Sequence, residues 1–161
     1  MEHEVYVSRG VKNLGRNSSA SLIKKAVNMA LDAEGIGESC VISVMLTDDE
    51  GIRQVNREFR GIDRATDVLS FPLNELSPGK FDAELCERDL DTGAVMLGDM
   101  MISVPRCEEQ GRELGHGYDR ELAYLTVHSV LHLLGYDHTD EGEMKKQMRR
   151  REKIIMKDEQ E

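Results

Sequence analysis

The sequence predicts an α/β (α+β) fold, in which a small mixed β-sheet is packed with about five helices in a single domain. Strand-length apolar runs alternate along the chain with segments of helical periodicity, a pattern typical of this class. The length of 161 residues suits one domain, and we expect residues 1–161 to form it. The hydrophobic fraction of 39% is ordinary for a globular protein, and no apolar run approaches the ~20 residues of a membrane span.

The first part of the chain predicts two strands with a helix between them. Residues 5–7 are expected to form a short strand. A helix follows from about Ser21, where apolar residues recur at helical spacing, and it ends at Gly35 or Gly37. The nearly continuous apolar run over residues 40–46 has the length of a strand and predicts the second one.

A second helix and two further strands are predicted in the middle of the chain. Thr47 and Glu50 have the spacing of a capping box, which places the start of a helix there. Residues 66–71 and 94–104 predict strands, the second of them broken at Gly98 and Asp99. The core face of the helix is expected to consist of three apolar side chains: Ile52, Val55 and Phe59.

The last third of the chain predicts three helices. Pro105 suits the first turn of a short helix, which Gly115 and Gly117 stop. A long helix is expected over residues 118–134, and Asp140 marks the predicted start of a final one.

The segment from Pro72 to Gly93 matches no element. It contains six acidic residues against two basic ones, Lys80 and Arg88. Structureless connections of this length are often functional, but its charge favours a solvated surface insertion over a flap.

The net charge of -10 at pH 7 argues against one class of function. Proteins that bind nucleic acid through their overall field are usually basic. Any action on RNA must therefore depend on a local site or on a partner.

Cysteine usage and the first residues indicate a cytoplasmic protein. Cys40, Cys86 and Cys107 are odd in number, far apart and without metal-ligand spacing, which indicates reduced thiols. Residues 1–4 have neither the basic end nor the apolar stretch of a signal peptide. We expect no association with a membrane.

A cluster of histidines predicts a metal site. His128 and His132 stand four residues apart and therefore lie one turn apart on one face of the long helix. Gly135 can adopt the left-handed conformation that ends a helix, so that His138 closes the site from beyond the turn. Three histidines with one open position suit a catalytic zinc ion. The alternative, scattered structural or surface histidines, is disfavoured because three of the five histidines in the chain fall within eleven residues.

The histidine spacing matches the zinc-binding pattern of metzincin proteases with one departure. Ser129 stands where those enzymes have the glutamate that activates water. Serine cannot act as that base near neutral pH. The sequence therefore has the three metal-binding histidines but lacks the general base of a peptidase, which argues against proteolysis. Asp137 has two possible roles: a fourth metal ligand, or a group that orients a histidine by a hydrogen bond. The second is favoured.

Three blocks of the sequence resemble the YbeY family of bacterial endoribonucleases. They are HSVLHLLGYDH from His128 to His138, RGIDRATDVLSFP from Arg60 to Pro72, and LGDMMIS from Leu97 to Ser103. The resemblance implies one Zn²⁺ per chain on the three histidines, with Arg60 facing the metal as the catalytic residue. It also implies single-stranded RNA as substrate, and roles in 16S ribosomal RNA 3′-end maturation and ribosome quality control, with the small ribosomal subunit as a further partner.

Elementary chemistry agrees with that role for Arg60. A guanidinium donates two parallel hydrogen bonds to a phosphoryl group and so stabilises the negative charge that develops on its oxygens. By itself, Arg60 suggests only an ion pair with Asp63 or Glu58. Two other functions stay open: a zinc hydrolase of another class, such as a peptidase, and a non-catalytic ribosome-assembly factor. The attacking nucleophile, water or a ribose 2′-hydroxyl, is open too.

Two groups of basic residues are candidates for RNA contact. Arg53, Arg57, Arg60 and Arg64 are expected to line one side of the cleft. The basic run between Lys145 and Lys153 spreads around a helix, which favours a solvated surface.

Overall fold

The computed structural model describes residues 2–10, 14–137 and 142–160. These residues form a mixed α/β structure with one four-stranded sheet and five α-helices. The predicted fold class is therefore confirmed. Within the described residues, no helix is long and apolar enough to cross a membrane.

The sheet has the strand order β1-β2-β4-β3. The first three of these are mutually parallel, and β3 pairs antiparallel with β4 at one edge. The strands are β1 (Glu4–Arg9), β2 (Cys40–Thr47), β3 (Val68–Pro72) and β4 (Val95–Ser103). All four predicted strands are present, each within about two residues of its expected bounds.

The five helices are α1 (Ser19–Ala33), α2 (Asp49–Arg60), α3 (Val104–Glu113), α4 (Gly117–Leu133) and α5 (Glu143–Gln160). The predicted start of the last helix at Asp140 lies outside the described residues. Helix α4 occupies the centre, where it packs against α1, α3, α5 and β3. Its side chains Leu122, Leu125, Val127 and Leu131 are at most 1% exposed. This long buried helix fixes the position of every side chain that it presents at its surface.

The predicted break at Gly98 is a β-bulge inside a strand that continues. The register shifts between Val41 and Ile42, so that Leu97 is the extra residue on β4. Gly98 has a φ of 137°, and a Cβ atom there would lie 2.3 Å from the carbonyl oxygen of Phe71. Only glycine allows β3 to approach this closely.

The expected start and core face of α2 are wrong in two details. The N-cap is Asp48 rather than Thr47, because the Asp48 carboxylate accepts a hydrogen bond of 2.8 Å from the Gly51 amide. Phe59 is 70% exposed, and it lines an open hollow beside the sheet. There its ring packs edge-on against Phe71.

The segment between β3 and β4 is irregular, as expected, yet it is tied to the sheet. It contains a 3₁₀ turn, Ala83–Leu85, and a bridge between Arg88 and Val95. The side chain of Asn74 donates a hydrogen bond of 2.9 Å to the Met96 carbonyl oxygen. The segment therefore forms part of the folded surface.

Candidate active site

The two predicted ligand histidines on α4 face each other. The Nε2 atoms of His128 and His132 lie 3.2 Å apart. Both residues are half-buried, whereas the neighbouring Val127 and Leu131 are fully buried. As the helical phase predicts, the imidazoles lie at the border of the core, with their Nε2 atoms within hydrogen-bond distance of each other.

Helix α4 ends at Gly135 in the predicted way. Gly135 has a φ of 105°; its amide donates to the His132 carbonyl oxygen and the Tyr136 amide donates to the Leu131 carbonyl oxygen. This pair of hydrogen bonds defines a Schellman motif. The chain reverses immediately beyond the histidines, but the third predicted ligand, His138, lies outside the described residues.

Glu152, on α5, binds His128 from behind. Its carboxylate lies 2.5 Å from His128 Nδ1 and accepts a hydrogen bond of 3.0 Å from the Tyr124 hydroxyl. The residue is only 6% exposed. A carboxylate on Nδ1 fixes the tautomer in which that nitrogen carries the proton and Nε2 keeps its lone pair.

Sequence reasoning missed Glu152, which is 24 residues from His128. The signal in the sequence was weak. Glu152 is an acidic residue within a basic run, shortly before the apolar residues Ile155 and Met156. This position indicates that the carboxylate is buried, and a buried charge is almost always paired. The Tyr124 hydroxyl remains its donor, because burial and the adjacent Glu152 charge raise the tyrosine pKa.

A second polar cluster anchors the turn after α4. The Tyr136 hydroxyl donates a hydrogen bond of 2.7 Å to Glu34, whose other oxygen pairs with Arg151. Burial, with the hydrogen bond to Glu34, raises the pKa of Tyr136 to about 12. The cluster joins α1, the turn and α5, and shows that Arg151 is not part of a purely solvated surface.

The histidines open into a cavity of about 240 Å³ between α4 and β3. Arg60 lines the same cavity, together with Asp67 and Asp137. The structure therefore places Arg60 and both described histidines around one space. Asp99 does not line it; that residue lies with Phe59 and Phe71 in a separate hollow.

The loop after α2 determines where Arg60 lies. Gly61 ends the helix with a φ of 71°, and the buried Asn56 side chain donates a hydrogen bond of 2.9 Å to the Arg64 carbonyl oxygen. Asp63 pairs with Arg53, at 2.8 Å, and not with Arg60. Arg53 thus forms ion pairs with Asp63 and Glu50, which disfavours the predicted contact between Arg53 and RNA.

Ser129 lies beside the histidines but points into the structure. It is fully buried, and its hydroxyl lies 2.6 Å from that of Ser70 on β3. This contact joins α4 to the edge strand that forms one wall of the cavity. Ser129 occupies the position at which the metzincin proteases have their glutamate, and in this chain its side chain packs against β3.

Within the described ranges, no group of three or more His, Cys, Asp or Glu side chains is arranged to hold a metal ion. Two of the three predicted ligands, with a carboxylate behind one of them and an arginine lining the same cavity, nevertheless resemble the sites of metal-dependent hydrolases.

Comparison with known proteins identifies the family. The family model described as Endoribonuclease YbeY matches residues 7–160, and the chain belongs to this family. Proteins named Endoribonuclease YbeY from Clostridium kluyveri and Clostridium botulinum, strain Langeland, are 47% and 46% identical over 142 and 141 residues. Those alignments cover 84% of this chain and 86% and 84% of the relatives. The predicted endoribonuclease family is confirmed.

The fold is also similar to that of a solved structure, the solution structure of TM1509 from Thermotoga maritima. The TM-score is 0.56 at 24% sequence identity, with 97% of this chain and 91% of that chain covered. This similarity supports the fold assignment alone.

Proposed function

We propose that this protein is a zinc-dependent endoribonuclease that cuts single-stranded RNA. The observation that carries the proposal is the pair of histidine Nε2 atoms, 3.2 Å apart, in a cavity that Arg60 also lines. The family name supplies the reaction class, which is cleavage within an RNA chain.

The donor set fits zinc. Two nitrogens held by one tetrahedral zinc ion at its usual bond length lie about 3.3 Å apart, close to the observed 3.2 Å between His128 and His132. The hydrogen bond from His128 Nδ1 to Glu152 leaves Nε2 available as a ligand. We assign His128, His132 and His138 as ligands of one zinc ion per chain. When bound, zinc supplies a water whose pKa is lowered towards ~7 and withdraws charge from a phosphoryl oxygen.

Arg60 would bind the phosphodiester. Its guanidinium offers two parallel donors to the non-bridging oxygens, which gain negative charge as the bond breaks. Single-stranded RNA as the substrate follows the family resemblance. Glu152 holds the His128 proton on Nδ1 throughout, and Ser129 takes no chemical step, since its hydroxyl contacts Ser70.

The biological role follows the family resemblance. We propose that the substrate is ribosomal RNA, with action at the 3′ end of 16S RNA and in ribosome quality control. The small ribosomal subunit or its proteins would then be partners, and the location would be the cytoplasm.

RNA cleavage with and without a chelator tests the proposal. Zinc-loaded protein should cut an end-labelled single-stranded RNA, lose this activity in chelator, and regain it when zinc is added. Elemental analysis should find about one zinc per chain, and the His128→Ala, His132→Ala double variant should lose most of it.

Full metal retention by the double variant would exclude this metal site. Zinc binding without RNA cleavage would instead favour the ribosome-assembly factor, and cleavage of a peptide library would favour a peptidase.

A further inference from the structure

A groove between α4 and α5 is strongly basic, although the whole chain carries a net charge of -10. Its volume is about 610 Å³. Four cationic side chains line it: Arg120, Arg149, Lys153 and Lys157. Within the part of the chain that the structure describes, none of the four forms an ion pair. The groove therefore concentrates positive charge on one surface of an acidic protein.

The three cations on α5 form a row. Arg149, Lys153 and Lys157 are spaced by four residues, which places them on one face of the helix. Successive members of the row are separated by about 6 Å along the helix axis, a spacing on the scale of successive phosphates in an extended strand. Glu152 is the one carboxylate among the lining residues, and its oxygens are engaged by His128 and Tyr124.

The groove lies close to the proposed metal site. It shares Tyr124, Arg149 and Glu152 with an adjoining cavity of about 250 Å³. That smaller cavity is lined by His128, which in turn lines the cavity containing Arg60. The groove, the smaller cavity and the cavity containing Arg60 are therefore linked in sequence through shared lining residues, with His128 between the last two.

We propose that this groove binds the phosphate backbone of the RNA strand beyond the bond that is cut. The inference rests on the proposed endoribonuclease function, and it names α5 as the strand-binding element of that site. It revises the expectation that the basic run on this helix is a solvated surface. An acidic protein segment would also suit the charge, but the closeness of the groove to His128, which lines the adjoining cavity, favours the substrate strand.

Salt-dependent RNA binding tests this proposal. The variant combines Arg149→Ala, Lys153→Ala and Lys157→Ala, and the probe is a fluorescent single-stranded 20-nucleotide RNA bound to the metal-free full chain. Affinity should fall on the order of tenfold or more, and the slope of log K against log salt should flatten by about 2, because three phosphate contacts are lost. In the zinc-loaded enzyme the same changes should raise KM for the long RNA and leave kcat within about twofold.

A matched control removes equal charge elsewhere. Arg112, Lys146 and Arg150 are exposed and lie outside the groove, so their triple alanine variant should bind RNA with nearly the parental salt slope. Equal slopes and affinities for the two triple variants would overturn the proposal. The proposal would also fail if the groove variant lost only the binding of an oligo-glutamate peptide and kept its RNA affinity. Absence of cleavage by the loaded parental protein would refute the proposed function instead, while binding by the metal-free chain would still decide the role of the groove.

Discussion

Replacing Glu152 by glutamine removes the negative charge behind His128 and keeps the size of the side chain. Glu152 is 6% exposed, and its carboxylate lies 2.5 Å from His128 Nδ1. Loss of such a partner weakens metal binding by about 10- to 100-fold, or ~1.4–2.7 kcal/mol. Because the amide oxygen can still accept from Nδ1, we expect about tenfold for Glu152→Gln and a larger loss for Glu152→Ala.

The assay is zinc affinity by competition with a chelating dye, together with the melting temperature of the metal-free protein. Glu121→Gln is the matched control, since Glu121 is 1% exposed and lies 2.8 Å from His116 Nε2. Both variants remove a buried carboxylate from a histidine, but only His128 is a proposed ligand. Parental zinc affinity in Glu152→Gln, or an equal loss in Glu121→Gln, would refute the reasoning.

Three further substitutions separate catalysis, chain reversal and packing. Arg60→Ala should keep its zinc and melting temperature but lose about 100-fold or more in RNA cleavage, with partial rescue by lysine; cleavage at the parental rate would remove Arg60 from the mechanism. Gly135→Val should lower the free energy of unfolding by at least ~2 kcal/mol and weaken zinc binding, because φ is 105° and a Cβ would lie 2.3 Å from the Leu76 carbonyl oxygen; normal stability in urea would contradict this. Ser129→Gly should keep zinc and most activity while losing ~1–3 kcal/mol of stability, through a weaker helix and a Ser70 hydroxyl without its partner; a loss of cleavage with intact folding would give that hydroxyl a chemical role.

Local patterns in the sequence determined the elements of the fold and the face of α4 that carries the histidines. The four strands are short apolar runs, and the spacing of His128 and His132 is a property of one helix. Gly135 was predictable for the same reason, since the end of a helix depends on a few adjacent residues. The strand order was not predictable, and at Gly98 the sequence indicated a break without showing that it is a bulge at Leu97, because both depend on contacts between distant segments.

Tertiary structure alone decided which charges surround the histidines. Glu152 reaches His128 because α5 packs across α4, and Arg53 is removed from the cleft because the loop after α2 turns Asp63 towards it. The same packing makes the basic residues of α5, expected to form a solvated face, one wall of a groove. Helical periodicity shows which residues share a face of a helix. Which element packs against that face depends on the apolar surface buried by the whole chain, and no local pattern of residues contains that information.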